Sequence, residues 1–300
     1  MSGGISAAGP PRMIAIDMDG TLVHTGGYVT EANRAAIDRA RAAGAHIVIA
    51  TGRRHSYAMK ILHTLPLHPH DVVLSSNGTV ARTISGDLLF RRPMSLETAR
   101  WLCGVLHGFR NSLVFTFDVF GADGEDVTGA LVLEELDELH SSIHAWMETN
   151  ARYIRRVQPI ENALVDGDPA GPPIQAMLCG TMDRMRQAEL LLTGLHENRL
   201  ELFRTEYPGR DLCILDILPQ GCSKGSGLAL LLQGVGLSPA NLMCLGDNWN
   251  DLPMLELANW PVLMGNAPLT LLDLARERGW PVNGTHDEDA VAVAINAAFP

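Results

Sequence analysis

The sequence is short of positive charge. Its 23 Lys and Arg stand against 34 Asp and Glu, for a net charge of −11. General binders of nucleic acid or acidic membrane need a positive field, so the charge argues against both classes. An anionic substrate is not, because a bound divalent cation reverses the local field. Paired cysteines are also missing. The five cysteines, Cys103, Cys179, Cys213, Cys222 and Cys244, are odd in number and none is spaced CxxC. This argues against a disulfide scaffold or a zinc site and fits free thiols in a reducing compartment. Most have apolar neighbours, as in Met243-Cys244-Leu245, and read as small buried hydrophobes. No long hydrophobic run occurs. The most apolar stretch, residues 228–237, is interrupted by Gln233, Gly234 and Gly236, so no segment is expected to span a bilayer. Residues 1–11 lack a basic start followed by an apolar core and read as a loose tail, not a signal peptide. A cytoplasmic protein is expected. Internal repeats and low-complexity segments are absent.

What is present is ample core material: 300 residues at 46% hydrophobic, enough for one large or two modest domains. The run Met13-Ile14-Ala15-Ile16 reads as a short buried strand. A helix is expected after Thr30-Glu31, with Ala32, Ala36, Ile37, Ala40 and Ala43 at helical spacing and Gly44 at its end. Residues 46–50 and 71–74 read as further strands, with a helix over 55–64 between them. This alternation predicts an α/β fold with a parallel sheet and crossover helices.

The rhythm changes after Asn77-Gly78. A hairpin is expected over 79–92, turning at Ser85-Gly86-Asp87, then a helix over 95–107. Strands over 113–120 and 130–133 flank an acidic loop at 123–126, and a helix follows near 137–149. Glu134, Glu135, Asp137 and Glu138 read as its solvated start. Residues 159–173 should be irregular. A strand over 174–179, a helix over 182–195 and strands over 200–205 and 212–218 complete a section of α+β character. The expected division is a core domain of residues 1–92 and 218–300 with an inserted domain of 93–217. In the returning core, Ser223 is expected to cap a helix burying Leu228, Leu231, Leu232 and Val235 on one face. Strands over 241–245 and 261–264 and a helix over 287–299 close the chain. Met243, Met254 and Met264 read as core, and His63, His68 and His70 as a surface loop.

Chemistry gathers at the expected strand ends, where open parallel sheets bind ligands. Asp17 and Asp19 lie two residues apart at the first strand end, a costly arrangement unless a cation shares it. Thr51-Gly52 offers a hydroxyl and a permissive backbone that presents N–H groups to an anion. Lys224 stands in the first turn of a helix, where a cation opposes the helix dipole, so another use is expected. Gly246-Asp247 with Asn250-Asp251 forms a second pair of acids after a second strand. Together these supply oxygen ligands for Mg²⁺, a carboxylate nucleophile, a second acid for proton transfer, and groups that neutralise a phosphoryl group.

The set resembles the haloacid dehalogenase (HAD) superfamily of phosphatases. Asp17-Met18-Asp19-Gly20-Thr21 matches its DxDGT motif, Thr51 its second-motif Thr, Lys224 its third-motif Lys, and residues 246–251 its GDxxND motif. Thr51-Gly52-Arg53, Asn77-Gly78 and Met264-Gly265-Asn266-Ala267 are typical of its Cof-type branch, which carries an α/β cap after the third strand. Ala290 departs from the pattern, where relatives usually have Gly. The resemblance implies a Rossmann-like core with an inserted α+β cap. It implies Asp17 as nucleophile and Mg²⁺ ligand, and Asp19 as general acid/base with a ligating backbone carbonyl. Asp247 is then the third protein ligand, and Asp251 holds a metal-bound water or orients Lys224. Thr51, Lys224 and Asn250 are implied to bind phosphate, and Gly52, Arg53 and Asn77 lie beside the substrate. The expected activity is Mg²⁺-dependent hydrolysis of a small phosphorylated metabolite, a sugar phosphate first among them. A phosphotransferase or mutase on the same fold, and a non-catalytic phosphate-binding module, are the alternatives.

Overall fold

A computed structural model of the chain describes residues 9–65, 67–120, 127–135, 143–195 and 198–299. The expected acidic loop at 123–126 and the start of the helix expected near 137 lie outside them. Two compact units are present, residues 1–90 with 223–300, and residues 91–222. The second boundary falls after the expected 217/218 because the last strand of the inserted section pairs through Pro219.

The discontinuous unit holds a sheet of seven strands: β1 (Met13–Asp17), β2 (His46–Ala50), β3 (Val72–Ser75), β4 (Val80–Thr83), β5 (Leu88–Arg91), β12 (Leu242–Gly246) and β13 (Trp260–Leu263). Their order is β13-β12-β1-β2-β3-β4-β5. Strands β13 to β3 are parallel, and β4 returns antiparallel to β3. Successive side chains of a strand point to opposite faces, so a strand buried on both sides feeds two cores. Ile14, Ile16, Ile47, Ile49 and Val73 join one core with residues of α1 (Glu31–Ala42), α2 (His55–Leu62) and α9 (Ala290–Ala298). Met13, Ala15, Val48, Ala50 and Leu74 join the other with α6 (Lys224–Gly234), α7 (Leu252–Leu257) and α8 (Leu269–Glu277). Leu228, Leu231 and Leu232 are buried as expected, but Val235 is exposed because the helix ends before it. Met243, Met254 and Met264 are buried. Ala290, the departure from the family pattern, is the buried first residue of α9.

The inserted unit holds a sheet ordered β10-β11-β9-β6-β7-β8. Its strands are β6 (Leu113–Thr116), β7 (Leu131–Leu133), β8 (Ile154–Arg156), β9 (Gln175–Gly180), β10 (Leu200–Tyr207) and β11 (Leu212–Pro219). One face packs under α3 (Leu96–Val105) and α5 (Met182–Leu195) around Phe115, Leu178 and Leu215. The opposite face buries Val114, Leu131, Leu133, Cys179 and Leu212. A further helix, α4, spans His144–Asn150. Glu134 corrects the reading of a solvated helix start. It is buried after β7, where it accepts the Arg110 guanidinium at 3.1 Å and the Ile160 N–H at 2.8 Å. All five cysteines are free and buried.

Candidate active site

The parallel register of β12, β1, β2 and β3 brings their C-terminal ends to one edge of the sheet. Asp17 is the last residue of β1 and is buried. Asp247 follows β12 directly, and Asp251 ends the short 3₁₀ turn beyond it. Carboxylate oxygens of Asp17, Asp247 and Asp251 lie within 4.8 Å of one another.

Lys224 binds this cluster together. It is the first residue of α6, whose N-terminus is closed by a reciprocal capping box between Ser223 and Ser226. The helix places Nζ, 0% exposed, where it donates to Asp17 Oδ1 at 2.5 Å and to Asp251 Oδ1 at 2.6 Å. The first turn of α6 approaches α7 closely. A Cβ added at Gly225 would lie 2.3 Å from the Pro253 carbonyl oxygen, so a side chain there would displace the lysine beside it. The cost of a cation at a helix N-terminus is thus met by two buried carboxylates.

Asp251 is fully engaged. Its Oδ2 accepts the N–H groups of Asp247 and Asn248, each at 3.0 Å. It therefore both orients Lys224 and fixes the loop carrying Asp247. Asp247 receives the Thr21 hydroxyl on Oδ1 at 3.2 Å and the Asn266 amide on Oδ2 at 3.3 Å. Gly20, at φ +81°, lets the loop after β1 pass against Asp247; a Cβ there would fall 2.4 Å from Asp247 Oδ2.

Three buried carboxylates against one ammonium leave an excess of negative charge, and the proton affinities reflect it. Burial, then the charge of Asp251, pushes the Asp17 carboxyl well above the usual carboxylate range, against the pull of Lys224. Burial and Asp251 likewise push Asp247 up to about 7, with Lys224 and the Thr21 hydroxyl opposing. Burial works to lower the Lys224 ammonium, but Asp17 and Asp251 reverse it and hold the group above its ordinary value.

The remaining residues surround this cluster. Asp19, with a half-exposed side chain, accepts a two-pronged pair from Arg53, with Nε at 2.7 Å. The Arg53 guanidinium also stands 4.9 Å from the centre of the Tyr57 ring. Thr51 is buried at the end of β2. Its N–H donates to the Leu74 carbonyl at 2.8 Å, and its Oγ1 accepts the Arg53 N–H at 3.1 Å. Asn77 takes a left-handed conformation at φ +52° and donates its N–H to the Thr51 carbonyl at 3.0 Å. Gly52 faces Asn77, and the Asn250 side chain donates to Asn77 Oδ1 at 3.0 Å. The candidate site residues read from the sequence thus fall at this one edge. Thr21, Asn266 and Tyr57 were given no role from sequence. The first two lay inside recognised motifs without any signal that they meet Asp247.

Such an arrangement can hold a hard cation on carboxylate oxygens, present a carboxylate to phosphorus, and offer a second acid at the mouth. A profile of haloacid dehalogenase-like hydrolases matches residues 14–295. Among individual proteins, the HMP-PP phosphatase of Cronobacter sakazakii is 29% identical over 287 residues, covering 94% of this chain and 93% of that one. A haloacid dehalogenase-like hydrolase from Bacteroides thetaiotaomicron superposes with a TM-score of 0.73 at 25% identity, covering 96% of this chain and 100% of that one. A HAD-superfamily phosphatase from the same organism gives a TM-score of 0.75 at 20% identity, covering 99% of each chain, and so speaks for the fold alone. With nearly the whole chain matched, this protein belongs to the haloacid dehalogenase-like hydrolase family, in its Cof-type branch.

Proposed function

We propose that the chain is a Mg²⁺-dependent phosphatase that hydrolyses a small phosphorylated metabolite through an aspartyl-phosphate on Asp17. The observation that carries this reading is the buried cluster of Asp17, Asp247, Asp251 and Lys224 at the strand ends. Membership of a hydrolase family and likeness to an HMP-PP phosphatase support it. The residues fit a divalent cation: the raised proton affinities of Asp17 and Asp247 mark carboxylates whose charge is under-compensated. Asp17, Asp247 and the Asp19 backbone carbonyl would hold it, with Asp251 acting through Lys224 and the 247–248 backbone. Bound Mg²⁺ would supply positive charge beside the transferring phosphoryl group.

The chain's own groups then divide the work. Lys224 engages Asp17 Oδ1, which leaves Oδ2 to attack phosphorus. As the new O–P bond forms, the bond to the leaving oxygen breaks, and Asp19 delivers a proton to that oxygen. Asp19 next takes a proton from water, which attacks phosphorus and releases phosphate and Asp17. The pair between Asp19 and Arg53 must open for this, and that frees Arg53 for the substrate. Thr51, Gly52, Asn77, Asn250 and Lys224 supply hydrogen-bond donors around the phosphoryl oxygens.

A panel of phosphate esters, including sugar phosphates and HMP-PP, assayed for phosphate release with and without Mg²⁺, tests the proposal. Release is expected with Mg²⁺, loss with a chelator, and recovery on re-addition. Transfer to an acceptor without free phosphate would establish a phosphotransferase instead. Turnover that resists chelation would contradict the metal assignment.

A further inference from the structure

Asn266 stands in the turn after β13, and that turn is stitched in place on two sides. Met264 N–H donates to the Gly246 carbonyl at 3.0 Å, and Gly265 N–H donates to the Gly284 carbonyl at 2.9 Å. A Cβ at Gly265 would lie 2.7 Å from the Asn283 carbonyl oxygen, so the turn packs too closely there for any side chain. The Asn266 side chain therefore projects from a fixed backbone.

Its amide orientation is set by two backbone groups with opposite needs. Oδ1 accepts the His286 N–H at 3.1 Å, and Nδ2 donates to the Gly20 carbonyl at 2.9 Å. A flipped amide would set oxygen against oxygen and N–H against N–H. The NH₂ group must then also face Asp247, whose Oδ2 lies 3.3 Å away. Thr21 donates to the other oxygen. Asp247 thus has a donor on each oxygen, one from the loop after β1 and one from the turn after β13.

We propose that Asn266 is a positioning residue that holds the Asp247 carboxylate in the orientation in which it ligates the divalent cation. This deepens the metal reading above and rests on it. An amide suits the task because it donates without a positive charge that would compete with the cation. Partners that orient a metal-ligating side chain in this way typically govern about 10–100-fold in metal affinity.

Binding of Mn²⁺ alone, followed by electron paramagnetic resonance of the free ion and competed with Mg²⁺, reads this without turnover. Asn266→Ala is expected to weaken binding at least about tenfold relative to the wild type. Asn266→Ser, whose hydroxyl ends one bond short of the amide nitrogen, is expected to do the same, and it carries the test if the alanine variant fails to fold. Thr285→Ala breaks the Thr285 hydroxyl bond to Glu288 in the same 284–288 segment and is expected to bind as the wild type does. Folded Asn266 variants that bind within twofold of the wild type would overturn the inference and leave the metal reading standing. Equal weakening by Thr285→Ala would overturn it too, since loop integrity would then be the cause. A wild-type protein that bound neither ion would overturn the metal reading and this inference together.

Discussion

In the metal-free folded chain Asp247 is pushed up to about 7, whereas its ordinary value is 3.8. Between those values the folded state holds more protons than the unfolded one, so this carboxyl makes stability fall as pH rises. Its contribution is complete below 3.8 and gone above about 7. In chelator, the stability of the wild type relative to Asp247→Asn is therefore expected to drop from pH 4 to 7, by on the order of a few kcal/mol. Denaturant titrations of both proteins across that window check it, and a constant difference would contradict it. Asp247 and Asp17 were legible in the sequence because their motifs sit at strand ends. Their keepers were less so. Asn266 lies 19 positions from Asp247 and Thr21 lies 226 away, and no local pattern announces either contact. Glu134 shows the opposite failure. Its acidic neighbours suggested a solvated face, while its partner Arg110 lay 24 residues upstream.

Between elements, the start of α1 is tied to the start of α9 and caps it. Thr30 accepts the Asn33 N–H at the start of α1 at 3.2 Å and donates to Asp289, the residue before α9, at 2.5 Å. Asn33 in turn reaches across so that its buried Oδ1 accepts the Ala292 N–H in the first turn of α9 at 2.9 Å. Asn33→Ala removes that cap from a distant helix and is expected to cost about 1 kcal/mol, within the range for lost N-caps, with phosphate release unchanged. Urea unfolding measures it; an unaltered midpoint would show that the cross-cap contributes nothing. Most strands and helices with clear periods were legible in the sequence, though the strand expected over 113–120 ends at Thr116. The misses were short or weakly patterned: β8 is three residues, Ile154-Arg155-Arg156, with both arginines exposed. Helix α7 is only six residues long, and α8 follows Pro268 without a side-chain cap. Local signals of that length do not separate helix from loop.

Across the whole molecule, the site is assembled from sequence-distant pieces. Residues 17–77 supply Asp17, Asp19, Thr51, Arg53 and Asn77, and residues 224–266 supply Lys224, Asn250, Asp251, Asp247 and Asn266. The two stretches meet because β12 pairs with β1, which places the end of a late strand beside the end of the first. A net charge of −11 makes the chain a poor host for an anion. Lys224 offsets that cost locally, and a divalent cation on the carboxylates, as proposed above, would offset more of it. Substrate choice was not legible, since it rests on no motif, whereas the hydrolase family was, since its motifs are short signatures fixed to strand ends. The most direct test compares phosphate release by the wild type and Asp17→Asn, with Mg²⁺, on the best ester from the panel. The variant is expected to bind the ester yet lose at least about a thousandfold in kcat, as loss of a nucleophile demands. A folded Asp17→Asn protein that kept a tenth or more of wild-type turnover would contradict the account.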